Sequence, residues 1–181
     1  MTGWTAFAAG LLGGLAGWTL LEYVIHRWLG HLPKGRILTS REHLDHHADI
    51  LYFTPLALKI RGALPVLGGV LLATGLLWNG PAALGSTLAV ALGWSLYEWL
   101  HQSIHVRGPR NAYTRWVARH HLSHHFQLPN ANFGVTSPLW DWLFLSYQPV
   151  RQVRVPARFA AALPWLKPAR AAGGAAEFVD A

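Results

Sequence analysis

Ten of the eleven histidines in this 181-residue chain fall into four tight clusters, and the chain contains no cysteine. The clusters are His26-x4-His31, His43-x2-His46-His47, His101-x3-His105 and His121-x2-His124-His125. Neutral imidazole is the commonest metal-ligating side chain, and ten exceed what one ion can use, so the pattern points to two metals. An all-nitrogen donor set favours iron, zinc, copper or nickel over magnesium and calcium, which prefer oxygen. Structural zinc needs four ligands and usually recruits cysteine. Ten imidazoles therefore suit two redox iron ions, with O2 as co-substrate and an unactivated C–H bond as the target. Zinc binds the same imidazoles and can occupy such sites in purified protein.

The spacings suit helices. Residues four apart project within about 40° of one another, and residues three apart within about 60° on the other side. His43, His46 and His47 then share one helix face, as do His121, His124 and His125, while His101 and His105 point the same way. His26 and His31 stand about 140° apart on an ideal α-helix, so both reach one site only if the helix ends or bends between them. His120 lies about 100° from His121 and is left out of the ligand set. Glu22, Glu98, Asp45 and Asp49 are candidates to orient the ligands from behind. An acid near a helix end can instead reach headgroups, but Glu22 and Glu98 sit where an unpartnered charge is costly. No catalytic or cofactor-binding residue beyond the metal ligands is expected. A single histidine is readily explained as a hydrogen-bonded or solvated side chain; ten at ligand spacing are not.

The elements that position these residues are membrane helices. Apolar content is 52% against 13% charged residues, a membrane composition. Three stretches, roughly 4–23, 62–78 and 82–100, are long enough or nearly so to cross hydrocarbon, and none contains Lys or Arg. The fifteen basic residues follow the first stretch, precede the second, or follow the third. By the positive-inside rule the N-terminus and the Asn79-Gly80-Pro81 loop face outside, and all four histidine clusters face the cytosol. The net charge of +7 is explained by anionic lipid; no nucleic-acid-reading motif surrounds it, and no nucleic-acid partner is expected. The first apolar run lacks a basic leader and continues into Glu22 and His26, so it reads as a retained helix. Without cysteine there are no disulfides and no cysteine-bound iron–sulfur clusters.

The fold expected is all-α: about three transmembrane helices under a cytosolic, histidine-rich helical cap holding a dinuclear metal site. One helix covers 3–29 and is ended by Leu32-Pro33-Lys34-Gly35. A short helix over 40–47 follows, with Thr39 as N-cap and Glu42 completing a capping box. A hairpin of two membrane helices comes next, then a helix over 112–126 and a brief aromatic segment at 137–144. Residues 1–150 form one domain and 151–181 a basic, then Ala- and Gly-rich tail whose last dozen residues are loose. Trp94, Tyr97, Trp140 and Trp142 are read as packing residues that could also line a lipid slot.

With Glu22-Tyr23-x2-His26-Arg27-x3-His31, HLDHH at 43–47, HQSIH at 101–105 and HHLSHHF at 120–126, the chain resembles the fatty acid hydroxylase/sterol desaturase superfamily from about residue 15 to 147. The NFGVTSPLWDWLF segment at 132–144 and the three-residue gap in HQSIH look most like the fatty acid 2-hydroxylase branch. The resemblance implies a membrane-bound, non-haem di-iron lipid monooxygenase. Its ligands would be His26, His31, His43, His46, His47, His101, His105, His121, His124 and His125. The reaction implied is hydroxylation of a fatty acyl C–H bond, with C2 as a candidate position. A sterol or carotenoid hydroxylase or desaturase of the same superfamily is the nearest alternative. A histidine-rich metal transporter or storage protein is a more distant one, since ligands along a membrane path would then be expected. Many eukaryotic 2-hydroxylases carry a fused cytochrome b5 domain that this chain lacks, so the electron donor would be separate, a cytochrome b5-like protein or a ferredoxin. Relatives commonly have four membrane helices against three here, and a homodimer is one way to complete the bundle.

Overall fold

The computed structural model describes residues 2–166 and the backbone of residues 176–179. Helix α1 (Gly3–Val24) begins at Thr2, whose hydroxyl accepts the Thr5 N–H at 3.3 Å. It runs without a break into a π-helical segment, Ile25–His31. There follow α2 (Leu38–Ala48), α3 (Leu56–Leu77), α4 (Gly80–Val106), α5 (Ala112–Phe126), α6 (Leu139–Leu143), β1 (Gln152–Val155), α7 (Ala157–Ala160) and β2 (Ala176–Val179).

Helices α1 and α4 pack at backbone-contact distance because small residues line the seam. A Cβ added at Gly10 would lie 2.2 Å from the Ala82 carbonyl oxygen, one at Gly14 2.5 Å from that of Ser86, and one at Gly85 2.2 Å from that of Phe7. Further along, the Trp18 indole fills the space over Gly93. Contacts advancing together along both helices make them parallel, which brings His26 and His31 to the same end as His101 and His105. Helix α3 returns antiparallel to α4 through a turn in which the Asn79 side chain caps the Ala82 N–H at 2.9 Å. None of its residues is buried, and Leu64, Leu72 and Leu76 are 62%, 63% and 78% exposed. Such a surface is uncomfortable in water and ordinary in hydrocarbon.

Among the described residues two helices are long and apolar enough to cross a membrane, Gly3–His31 and Leu56–Leu77. The expected third, α4, is longer at 27 residues but is diluted by Ser86, Thr87 and Ser95.

The fold is mostly helical rather than all-α. Alternating Val153 and Val155 point inward from β1, which pairs antiparallel with β2 in the register Gln152↔Val179 to Val155↔Ala176. Together with Phe159, Leu163 and Leu166 they bury Leu100, Ile104, Val117 and Leu122 of α4 and α5. Packing therefore continues past residue 150, and residues 176–179 are paired strand instead of loose chain. The remainder of the last dozen residues lies outside the described residues.

Candidate metal centre

The π segment resolves the geometric problem posed by His26 and His31. Bonds of the i→i+5 type widen the helix so that residues five apart come onto one face, and the two imidazole centroids lie 5.5 Å apart. No bend is needed. The chain then turns through Lys34 and Gly35 with φ of 52° and 79°, the left-handed region that glycine occupies without cost.

Helix α2 does not use the expected capping box. It starts earlier, after Ile37, with no side-chain cap. Ser40 is drawn away to the π segment, donating to the Gly30 carbonyl at 2.6 Å and accepting from the Gly35 N–H at 2.9 Å. Glu42 accepts the Tyr52 hydroxyl at 2.6 Å. The Ser40 bonds lock α2 against the end of α1, and the Glu42 bond ties it to the segment before α3. In α5 the capping box does form, between Asn111 and Thr114.

Ten histidines converge as two groups of five. His26, His31, His43, His47 and His124 make one; His46, His101, His105, His121 and His125 make the other; within each, one ring nitrogen per residue lies within 4.8 Å of the rest. Helices α2 and α5 each serve both groups. The i, i+4 pairs His43/His47 and His121/His125 go to one group apiece, while the intervening His46 and His124 cross to the opposite one. In the first group the His31 Nε2 lies 2.8 Å from that of His43 and 3.0 Å from that of His124. In the second, the His121 Nε2 lies 3.0 Å from those of His105 and His125. The rings of His47 and His125 stack at 4.1 Å between the two groups.

Backbone carbonyls, not carboxylates, orient three of these rings. The Nδ1 of His26 bonds to the Phe133 carbonyl, that of His124 to Ala131 at 2.8 Å, and that of His46 to Tyr52 at 2.8 Å. An Nδ1–H donated to a carbonyl leaves Nε2 with its lone pair facing inward, the tautomer a metal needs. Among the described residues, Glu22, Glu98 and Asp49 bond to groups other than the histidines themselves. Glu22 accepts from the Val135 and Thr136 N–H groups and the Thr136 hydroxyl. Glu98 pairs with Lys59 and accepts from the Trp94 indole at 3.3 Å. Asp49 accepts from the Leu51 N–H at 3.0 Å.

Burial holds the cap imidazoles neutral. His43, His121, His124 and His125 titrate well below the ordinary histidine range, chiefly through desolvation and then through neighbouring imidazoles. Desolvation lowers His46 to about 4 and His47 to about 2. Neutral imidazole is the ligating form. The Nε2 atoms of His46 and His47 are buried without a hydrogen-bond partner, a costly state that a bound cation would relieve. All-nitrogen donors, neutral rings and orphaned inward-facing atoms fit two transition-metal ions.

A cavity of about 290 Å³ reaches both groups. His26 and His43 line it from the first, His46 and His101 from the second, and Trp18, Val66, Leu67, Val90, Trp94 and Tyr97 supply apolar wall between α1, α3 and α4. From His101 to Val90 it extends about 16 Å along α4 at 1.5 Å per residue. Trp94 and Tyr97 thus line the slot, whereas Trp140 donates to Thr19 at 2.9 Å and Trp142 packs on Tyr147.

Two residues behind the site escaped sequence reasoning. Asp141, fully buried, accepts from the Phe133 N–H at 2.9 Å, the Gly134 N–H at 2.7 Å, Ser146 Oγ at 2.7 Å and His120 Nε2 at 3.1 Å. His120 stacks between Trp116 and Tyr147, facing away from both groups. The available clue was a lone acid inside the aromatic run Leu139-Trp140-Asp141-Trp142-Leu143, which can be buried only with partners.

Comparison with known proteins bears on the same region. Residues 11–146 match the model of the fatty acid hydroxylase family. The chain is 31% identical over 140 residues to a dihydroceramide fatty acyl 2-hydroxylase of Arabidopsis thaliana, covering 72% of this chain and 57% of that protein. To a fatty acid 2-hydroxylase of Homo sapiens it is 30% identical over 146 residues, 73% of this chain and 37% of that protein. It thus spans little more than half of the plant protein and less of the human one. The solved structure of full-length scs7p, of which only the hydroxylase domain is visible, superposes with a TM-score of 0.64 at 26% identity, covering 82% of this chain and 58% of that one.

Proposed function

We infer the activity from one premise: the chain belongs to the fatty acid hydroxylase family. We propose that it is a membrane-bound, non-haem di-iron monooxygenase that uses O2 to hydroxylate a C–H bond of a fatty acyl chain, at C2. The observation that carries this reading is the pair of five-histidine groups opening onto one largely apolar cavity. The ten histidines, His26, His31, His43, His46, His47, His101, His105, His121, His124 and His125, are the proposed ligands. Two iron ions held there would supply the reduction of O2 and the oxidant for the C–H bond.

The chain's own residues do the rest. Neutral rings bind without releasing protons into the site, and the carbonyls of Phe133, Ala131 and Tyr52 fix their direction. Walls from Trp18, Val66, Leu67 and Val90 hold an acyl chain and exclude water, so that the reacting methylene is positioned next to His26, His43, His46 and His101. In this reading α1, α3 and α4 all lie in the membrane, the N-terminus is outside, and the histidines face the cytosol. Electrons arrive from a separate cytochrome b5-like or ferredoxin donor, and a homodimer is the proposed assembly.

Mass spectrometry of lipids from cells expressing the protein, beside a His124→Ala control, tests the activity. Acyl species heavier by one oxygen should appear with the wild-type chain and vanish with the variant. Loss of two hydrogens would make the reaction a desaturation, and no change would overturn the assignment.

A further inference from the structure

The loop between α5 and α6 bonds the first histidine group through two carbonyls and, among the described residues, gives the second group no hydrogen bond. Its Ala131 carbonyl holds His124 and its Phe133 carbonyl holds His26. The second group takes its one backbone bond, at His46, from Tyr52 on a different segment. A loop is a poor ruler unless it is itself fixed, and here two buried carboxylates fix it. Asp141 accepts the N–H groups of Phe133 and Gly134, and Glu22 those of Val135 and Thr136, so four consecutive backbone N–H groups end on side-chain carboxylates. Asn132 closes the base by donating to Ser123 Oγ and the Gln148 carbonyl, each at 2.9 Å. The close fit leaves no slack: a Cβ at Gly134 would stand 2.1 Å from the Ser137 carbonyl oxygen.

We propose that Asp141 and Glu22 are positioning residues for one metal only, acting through the carbonyls of Phe133 and Ala131 to set ring direction and tautomer in the group of His26, His31, His43, His47 and His124. This rests on the two-metal reading of the histidine groups. Breaking the clamp frees the two carbonyls and allows His26 and His124 to rotate or to place the proton on Nε2. The group of His46, His101, His105, His121 and His125 keeps the Tyr52 carbonyl that holds His46 and, among the described residues, has no hydrogen bond to this loop to lose. Loss of an orienting partner lowers metal affinity about 10- to 100-fold, so the two sites become unequal by that factor.

The test is chelator competition on the full-length purified protein loaded with iron or cobalt, counting metal per chain. In Asp141→Asn, where one oxygen becomes a donor facing N–H groups, one metal should leave at chelator concentrations about 10- to 100-fold lower than in wild type, and the other should leave as in wild type. Glu22→Ala should behave likewise, whereas Glu22→Gln, which keeps an oxygen for the Val135 and Thr136 N–H groups, should stay near wild type. That pair decides the matter if Asp141→Asn fails to fold. In a His31→Ala background, already lacking the first site, Asp141→Asn should have no further effect. Release of both metals together, or of neither, would overturn the proposal. A wild-type chain that binds no metal would instead overturn the two-metal reading.

Discussion

Gly30 sits in the π segment against the His43 ring, and adding one methyl group there separates metal binding from folding. An alanine Cβ would lie 3.0 Å from His43 Cδ2 and 3.1 Å from Cγ, against an ordinary contact beginning at 3.4 Å, so the ring must retreat by a few tenths of an ångström. Metal–nitrogen distances tolerate about 0.2 Å. His43 also touches His31, with Nε2 atoms 2.8 Å apart, so displacement is passed to a second ligand. An affinity loss of about 10- to 100-fold at the first site follows, equivalent to about 1.4–2.8 kcal/mol. Helix propensity acts in the opposite direction: replacing a helical glycine by alanine contributes about 0.5–1 kcal/mol to the folded state. Gly30→Ala should therefore leave the thermal stability of metal-free protein unchanged within about 1 kcal/mol, while one metal per chain becomes easier to remove by chelator. Wild-type affinity for both metals in this variant would refute the placement of His43 as a ligand beside Gly30.

Acid should unfold the metal-free chain early. Burial puts the folded-state value of His46 near 4 against 6.5 in the unfolded chain, so between those values the unfolded chain binds a proton that the folded one refuses. Its contribution is present above pH 6.5 and shrinks as pH falls, by about 2 kcal/mol at pH 5 from this residue alone. A melting temperature that stays flat from pH 7 to 5 would contradict this burial. Ala63 lines the cavity from α3, a helix with no buried residues, so Ala63→Trp should fill the slot with little harm to the fold. Each acyl methylene it displaces costs about 0.8 kcal/mol, or about fourfold, and products should shift to shorter chains; an unchanged chain-length profile would place the acyl chain elsewhere.

What the sequence made legible was the set of residues and what it hid was their partition. Spacing showed that His43, His46 and His47 form one ligand face, because helical geometry is local. That His46 crosses to a different group from its neighbours depends on how α2 lies between α1 and α4, which local spacing does not encode. The five-residue gap from His26 to His31 flagged an irregularity correctly but suggested a bend; π winding, stabilised by packing against α2, meets the same need. Thr39 and Glu42 look like a capping box in isolation, yet the helix already begins after Ile37 and the Tyr52 hydroxyl engages Glu42 with a tertiary bond. The orienting carbonyls were invisible for a simpler reason: every residue has one, so no residue type announces which are used. The folding of residues 152–166 onto α4 and α5 was masked by a short valine alternation inside a basic stretch.

The most direct measurement is the metal content of iron-replete, purified protein beside single-ligand variants drawn from the two groups. Two five-imidazole sites predict about two metals per chain in wild type, and about one remaining in both His31→Ala and His101→Ala. Wild-type protein with no bound metal, or either variant retaining both, would contradict the account.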